Sequence, residues 1–344
     1  MKKLRFLGKL IYWGNVLVAL LLVISFVLPY LPPSTFPTLS ILSLAVSPLL
    51  FINILFALYW LLRLRKQVWV SLIVLIIAFF HFNPFFEISS EGDASKYNTT
   101  LSVLSYNVRL FNAYEKENNA DAVSQKMNEI LSADDPDMLF IQEYYADHKV
   151  DFSKYPHTFI HFQDSDHNLG HAIFSKYPLL NKGGFDFEKS YNNSIYADAV
   201  VGNDTIRVYN LHLQSIGILP TVDFLQDRGT EQLKERFSER FVQQESQMRK
   251  ILGHKEQSPY PVILAGDFNN TSFSYVYRKL KKEMQDAFLE RGNGLGSTYS
   301  FQGYPMRIDY IMASKGMDVI RFKTLDETFS DHYPISAQLG WGER

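Results

Sequence analysis

The sequence predicts a mixed α/β domain, two packed sheets with helices outside, carried behind three apolar membrane-crossing segments. Three observations predict it. Charge is almost missing before Phe86 and ordinary after it. Beyond about residue 98, strand-like and helix-like stretches alternate, the order expected of sheet layers covered by helices. Five short polar motifs then fall at or near the ends of strand-like runs.

The membrane segments come first. Of 344 residues 47% are hydrophobic, unevenly spread. Leu10–Leu31 and Pro37–Leu62 carry no charge. Roughly 20 apolar residues cross a hydrocarbon core, so both are long enough. Val68–Phe82 is shorter and reaches that length only by extension through Asn83 to Phe86. The first run is not read as a signal peptide: it is too long, lacks a small-residue cleavage site, and two more apolar runs follow. Orientation follows Lys/Arg placement. Lys2, Lys3, Arg5 and Lys9 precede the first run, and Arg63, Arg65 and Lys66 separate the second from the third. Both groups belong in the cytoplasm, so three crossings put everything after about Phe86 outside. Two crossings would leave it in the cytoplasm.

The expected boundaries are an anchor over 1–86, a polar linker over 87–98 and a catalytic domain over 99–344. The chain holds 34 Lys/Arg and 36 Asp/Glu; seven and one of these lie in the first 90 residues, leaving 27 and 35, a net of −8. An acidic domain is a poor non-specific binder of nucleic acid backbone. There is no cysteine, which excludes disulfides and thiolate metal sites.

Within the domain, Thr100–Val108 alternates as a strand. Ala122, Val123, Met127, Ile130 and Leu131 have helical spacing over Ala120–Ser132. Asp134–Asp137, with Pro136 inside it, is a breaker, and Met138–Gln142 a short buried strand. His171–Ser175 is a strand ended by Lys176-Tyr177-Pro178. Gly202-Asn203-Asp204 between Tyr196–Val201 and Thr205–Leu213 signals a hairpin. Thr221–Leu252 reads as one or two charged surface helices. Val262–Gly266, Tyr299–Phe301, Arg307–Met312 and Pro334–Leu339 read as strands.

The motifs are Ser105–Asn107 (SYN), Ile141–Glu143 (IQE), Asn210–Leu213 (NLHL), Gly266–Asn269 (GDFN), and Arg307–Ile311 (RIDYI) followed by Ser330–Pro334 (SDHYP). They supply Asn107, Glu143, His212, Asp267, Asn269, Asp309, Asp331 and His332. Acids, amides and two histidines suit one divalent cation and one phosphate ester. Taken singly, each has a plain alternative. Glu143 could be a solvated strand end, Asp267 a helix cap or Asx-turn, and a strand histidine a satisfied edge residue.

In this order, with Gly170–Pro178 (GHAIFSKYP) between the second and third, the motifs resemble the endonuclease/exonuclease/phosphatase superfamily over about Leu101–Leu339. The resemblance implies a four-layer α/β sandwich, two mixed sheets face to face, with the site at one edge. It implies attack of water on phosphorus assisted by Mg²⁺ or Mn²⁺. Glu143 would be the main metal ligand, with Asn107 a ligand or a group orienting Glu143, and Asp331 touching the metal or its water. Asp267 would activate or orient the water, and Asn269 donate to phosphate oxygens or hold the nucleophile. His212 and His332 would donate to phosphoryl or leaving oxygens, with Asp309 orienting His332. His171 stands where the family often has Asn near substrate. Arg307 would contact phosphate or pair with a surface acid. His148, His157, His161, His167 and His254 read as surface residues.

One departure bears on substrate. Abasic-site endonucleases usually carry Asp or Asn two residues after the first Asn; here the segment is Asn107-Val108-Arg109-Leu110. The expected activity is therefore a membrane-anchored, extracytoplasmic phosphoester hydrolase acting on nucleic acid, phospholipid or a small phosphodiester, with the bilayer as its other partner. The alternative is a non-catalytic tethered binding or scaffold module of the same fold.

Overall fold

Strand β1 (Tyr97–Asn107) is buried on both faces, and its alternation sets the layers. Leu101 and Val103 point into the space between two sheets. Leu104 and Tyr106 point the other way, under helix α4 (Ala120–Asp134) with its Val123, Met127, Ile130 and Leu131. That helix connects β1 to β2 (Met138–Tyr145), which pairs parallel to β1. The same unit recurs in the second sheet. There β7 (Asp204–His212) pairs parallel with β8 (Val262–Asp267), and helix α5 (Thr230–Lys255) lies between them in sequence. Met248 and Ile251 of α5 pack on Tyr209, Leu211 and Leu264 of the outer face.

The computed structural model describes residues 5–82, 86–115, 119–162, 168–190, 192–217, 230–301 and 303–343. One six-stranded sheet runs β11 (Asp318–Thr324), β12 (Ile335–Glu343), β1, β2, β4 (Leu169–Ser175), β3 (His157–Phe162). The other runs β9 (Met284–Asp286), β10 (Asp309–Ser314), β8, β7, β6 (Asn193–Val201), β5 (Leu179–Asp186). Apart from the two parallel pairs the ladders are antiparallel, so both sheets are mixed. The inner faces meet in one apolar layer that includes Phe140, Ile173, Ile195, Val208, Ile263, Ile311 and Ile335.

The linker expected over 87–98 does not hang free. Glu87–Ile88 pairs with Asn293–Gly294, and Gly92 N–H donates to Ile320 O at 2.7 Å. Of the expected surface helix over Thr221–Leu252, the part before Thr230 lies outside the described residues. The rest is half-sunk: Phe241, Gln244, Glu245 and Met248 are buried.

The apolar runs form a three-helix bundle, α1 (Phe6–Ser25), α2 (Val46–Leu62) and α3 (Val68–Phe82). Two stretches, Phe6–Tyr30 and Pro37–Leu62, are long and apolar enough to cross a membrane. Val68–Phe82, expected as a third crossing, is a 15-residue helix and falls short of that measure. A turn over Arg63–Gln67, with Leu64 in the left-handed region (φ 50°), fixes its start. Its extension over 83–85 lies outside the described residues, as do Lys2 and Lys3. The second run is also broken: Pro37–Ser40 and Ile41–Ala45 form short helical turns before α2 begins. Inside the bundle, Trp60 Nε1 donates to Asn15 Oδ1 (3.0 Å), Asn15 Nδ2 donates to Ser71 Oγ, and Ser71 Oγ donates to Asn53 Oδ1 (3.0 Å). Side chains from all three helices thus satisfy one another in an apolar setting, which fixes their register. The outer surface is apolar, with Trp13, Phe51, Trp69 and Phe80 exposed.

The bundle abuts the α/β domain at the end away from Arg63–Lys66. Phe82 meets Phe273 edge-on at 5.1 Å, Ser34 N–H donates to Glu245 Oε2 at 2.6 Å, and Thr271 Oγ1 donates to Ser43 O at 3.3 Å.

Candidate active site

Alternation delivers the site. Along each central strand the inward row is apolar until its last position, where it turns polar. Inward residues Ile206 and Val208 of β7 lead to Asn210 and His212, Ile263 and Ala265 of β8 to Asp267, and Ala313 and Ile311 of β10 back to Asp309. Register places His212 beside Asp267, and Asp267 beside Asp309, in one transverse row. The facing sheet ends its inward rows in Asn107 and Gln142, themselves register partners.

Glu143 breaks the alternation. Following Met138, Phe140 and Gln142 inward, it belongs on the outer face. The register with β4 shifts between Ile141 and Tyr144, and Glu143 sits in the left-handed region (φ 51°). A bulge of this kind re-aims a side chain. It brings Glu143 Oε1 to 3.1 Å from Asn107 Nδ2, which also donates to Asp267 Oδ2 at 3.1 Å. Asn269 has φ 50° as well, so two site residues carry uncommon backbone. Its amide N–H donates to Asp267 Oδ1 (2.7 Å) and its side chain to Asp267 Oδ2 (3.2 Å) and Leu213 O (3.0 Å). The Asx-turn expected as an alternative role for Asp267 is therefore present alongside its place in the cleft. Gly266 is required by space: at φ 137° a Cβ there would lie 2.0 Å from Leu211 O.

His332 Nδ1 lies 3.0 Å from Asp309 Oδ2, and its Nε2 3.7 Å from Asp267 Oδ2. Thr298 Oγ1 accepts from the Ile308 and Asp309 N–H groups at 3.1 Å each, holding that corner. Burial alone would lower His332, but Asp309 and then Asp267 carry it up to about 10. Burial, then Asp309, lifts the Asp267 carboxyl well above the usual carboxylate range. Glu143 is raised by the protein packed around it, although a third of its side chain faces the cleft. His212 is pushed well below the usual imidazole value by burial and by its neighbours His171 and His332. The row therefore pairs an imidazole that stays protonated with one that stays neutral.

A cleft of about 230 Å³ opens on Glu143, Asp267, Asn269, Asp331 and His332. Arg109 Nε lies 3.9 Å from the Asp331 carboxylate. Arg109, Tyr299 and Leu44 also line the cleft, and the Tyr299 ring sits 5.0 Å from His332. No motif marks these three; the cation at Arg109 was the one visible signal. Asn192, also unmarked, lies 2.8 Å from His212 Nε2.

Two expected residues sit elsewhere. His171 is buried behind the row, 5.2 Å ring to ring from His212, and burial takes it down to about 3. Arg307 is turned from the cleft: it pairs with the buried Asp286 at 2.7 Å and lies over Phe288 and Tyr310. Among the histidines expected at the surface, His148 packs on Phe111 and His254 on Tyr196, both half-buried, and His161 pairs with Asp186 at 2.8 Å. His157 is half-buried, and His167 lies outside the described residues.

Asp267, Asp309 and His332 offer ligand atoms within 4.8 Å of one another. With His332 carried up to about 10, its imidazole is protonated and cannot ligate. The oxygen donors lining the cleft, Glu143, Asp267 and Asp331, are the ones that fit a hard divalent cation.

The profile of the Endonuclease/Exonuclease/phosphatase family matches residues 104–332, and a domain of unknown function, DUF8431, matches residues 8–85. No curated protein matches. Similar solved structures include the human Nocturnin catalytic domain with bound sulfate anion (TM-score 0.52, 19% identity, 71% of this chain and 95% of that one). An endonuclease/exonuclease/phosphatase from Bacteroides vulgatus is similar to the same degree (0.52, 17%, 71% and 100%). One from Beutenbergia cavernae matches at 0.51, with 18% identity over 71% of this chain and 72% of that one. At such identities the likeness is one of fold, and the family match rests on the chain's own sequence from Leu104 to His332. With two mixed sheets flanked by helices and a polar row at their common end, the chain belongs to the endonuclease/exonuclease/phosphatase family, whose fold serves hydrolysis of phosphate esters.

Proposed function

We propose that the chain is a membrane-anchored, divalent-metal-dependent phosphodiester hydrolase with its catalytic domain outside the cytoplasm. The observation that carries the chemistry is the convergence of Asn107, Glu143, His212, Asp267, Asn269, Asp309 and His332 on one cleft. Glu143 and Asn107, with Asp331, would hold the cation. Mg²⁺ or Mn²⁺ there supplies Lewis-acid stabilisation of the phosphoryl oxygens.

The chain's own residues do the rest. Asp267, made more basic than an ordinary carboxylate, takes a proton from the attacking water. The water oxygen forms a bond to phosphorus, and the bond to the leaving ester oxygen breaks. His332, protonated and held by Asp309, donates to the phosphoryl charge, while His212 and Asn269 hydrogen-bond the other oxygens. The leaving oxygen departs with a proton from solvent or imidazole, giving a phosphate monoester and an alcohol.

Anchoring rests on the apolar outer surface of the bundle and on the two stretches long enough to cross. Outward orientation rests on Arg5, Lys9 and Arg63–Lys66 lying at the bundle end opposite the catalytic domain, and it requires α3 to cross despite its 15 residues. The ends of α1 and α3 meet beside the domain: Phe26 and Phe82 touch at 5.3 Å, and Phe82 touches Phe273. On this reading 1–86 is the anchor and 99–344 the catalytic domain. The test is hydrolysis by the full-length protein in detergent, screened against DNA, RNA, phospholipids and nucleotides with Mg²⁺, with Mn²⁺ and with EDTA. Turnover abolished by EDTA is expected. Absence of metal-dependent turnover on every phosphoester would refute it.

A further inference from the structure

Beside the cleft lies a second cavity, of about 330 Å³, between the anchor and the catalytic domain. Its exposed wall is mostly apolar, with Phe51 and Ile54 from helix α2 on one side and Phe273, Leu295, Pro305 and Met306 on the other, while Ser47, Thr271 and Arg307 add polar groups to the lining. Met306 also lines the catalytic cleft. Leu44, in the cleft wall, precedes Ser47, in the cavity wall, by about one helical turn. The two spaces are therefore neighbours along both the anchor and the domain. The cavity also reaches down the apolar helix: its lining there runs from Ser47 to Ile54, ~10 Å along the axis. Phe51, half exposed, opens that end of the cavity to the outer surface of the bundle.

Nothing in water needs such a shape. An apolar cavity against a helix of the apolar bundle, neighbouring a phosphate site across Met306, suits an amphiphile, whose tail stays out of water while its head reacts.

We infer that the substrate is a membrane phospholipid-class phosphodiester, its acyl chain lying in the cavity behind Met306 while its phosphate occupies the cleft at Glu143, Asp267 and His332. This inference rests on the proposed hydrolase function and names its substrate class.

Two readouts on the full-length protein separate the inference from that function. The first is inhibition of bis-p-nitrophenyl phosphate hydrolysis by alkyl phosphates of increasing chain length. Decyl phosphate is expected to inhibit at least about tenfold more tightly than butyl phosphate, since each buried methylene favours binding. Ser47→Trp and Leu295→Trp, which fill the cavity from opposite walls, should remove that difference and leave uninhibited turnover of the soluble probe unchanged. Leu295 is half exposed, so its replacement does not threaten folding. The second readout is independent of catalysis: a decyl phosphate carrying a terminal diazirine, photolysed on the protein, should label Pro305 and Met306, less so in Ser47→Trp. Inhibition independent of chain length, the same dependence in both variants, or no label at Pro305 and Met306 overturns the inference while leaving the hydrolase intact. Label at those residues without any turnover of the soluble probe upholds the tail site and overturns the hydrolase.

Discussion

Removing Asp309 tests whether the site works as a unit. Its Oδ2 lies 3.0 Å from His332 Nδ1, and both side chains are buried. A hydrogen bond to a charged partner contributes about 1.5–3 kcal/mol. General acid–base work by such an imidazole is worth at least about a hundredfold in rate, or ~2.7 kcal/mol. Without the carboxylate, burial pushes His332 toward its neutral form, which cannot donate from both nitrogens. Asp309→Ala and His332→Ala should therefore each lose at least about a hundredfold. The double variant should lose little more than either alone, a coupling of ~2.7 kcal/mol in the cycle. The assay is turnover of a soluble phosphodiester at saturating Mg²⁺, with thermal unfolding of each variant as the folding control. Losses that multiply to about ten thousandfold would refute joint action. Near-wild-type turnover in His332→Ala would remove the cleft from the chemistry.

Four further outcomes follow from the same coordinates. Glu143→Gln should fold normally and need at least about tenfold more Mg²⁺ for half-maximal rate; an unchanged metal requirement would take Glu143 out of the metal site. A reporter fused after the last residue should be active as a periplasmic-type phosphatase and dark as a cytoplasm-only fluorophore, and the reverse would demote α3 as a crossing. His171 is held down to about 3 against an unfolded value of 6.5, so between those values the unfolded chain binds the extra proton. Stability should fall as pH drops through that window, by at most about 1.4 kcal/mol per pH unit from this group, and His171→Gln should show a shallower fall in denaturant midpoint from pH 7 to 5. Arg307→Ala should cost stability, roughly 3–5 kcal/mol, by leaving Asp286 buried without its cation, and should not change KM for a soluble phosphodiester without an alkyl tail; a raised KM for that substrate with stability intact would return Arg307 to the phosphate.

The central strands were legible because their inward rows read as apolar residues ending in a polar one. Ile206, Val208, Asn210 and His212 say this without any structure, as do Ile263, Ala265 and Asp267. The edge strands were not. Leu179–Asp186 carries Asn181, Lys182, Gly183 and Gly184, is mostly exposed, and shifts register between Leu180 and Gly183. His157–Phe162 is half-buried throughout, so no face stands out. Glu143 was found by motif and would have been lost by parity, because the bulge that turns it inward has no local sequence mark. Arg307 stood open between phosphate and an acid partner, and only the chain folding back through Asp286 shows which acid it pairs with, a buried one rather than a surface one. Leu44 was hidden because Pro37–Leu62 reads as one continuous span, whereas its first part bends under the domain. Asn15, Asn53 and Ser71 were visible as polar residues within apolar runs, but their meeting depends on three helices.

The contacts between bundle and domain change how the cleft meets its surroundings. A domain on a loose tether roams a hemisphere and gives up rotational freedom each time it settles on a surface. Here Phe82 on Phe273, Ser34 on Glu245 and Ser43 on Thr271 hold one attitude before any encounter. The cleft mouth then stays at a fixed height and tilt above the bundle. With the bundle seated in a bilayer, as proposed, the search for molecules confined to that plane is two-dimensional, and rates should follow surface mole fraction rather than bulk concentration.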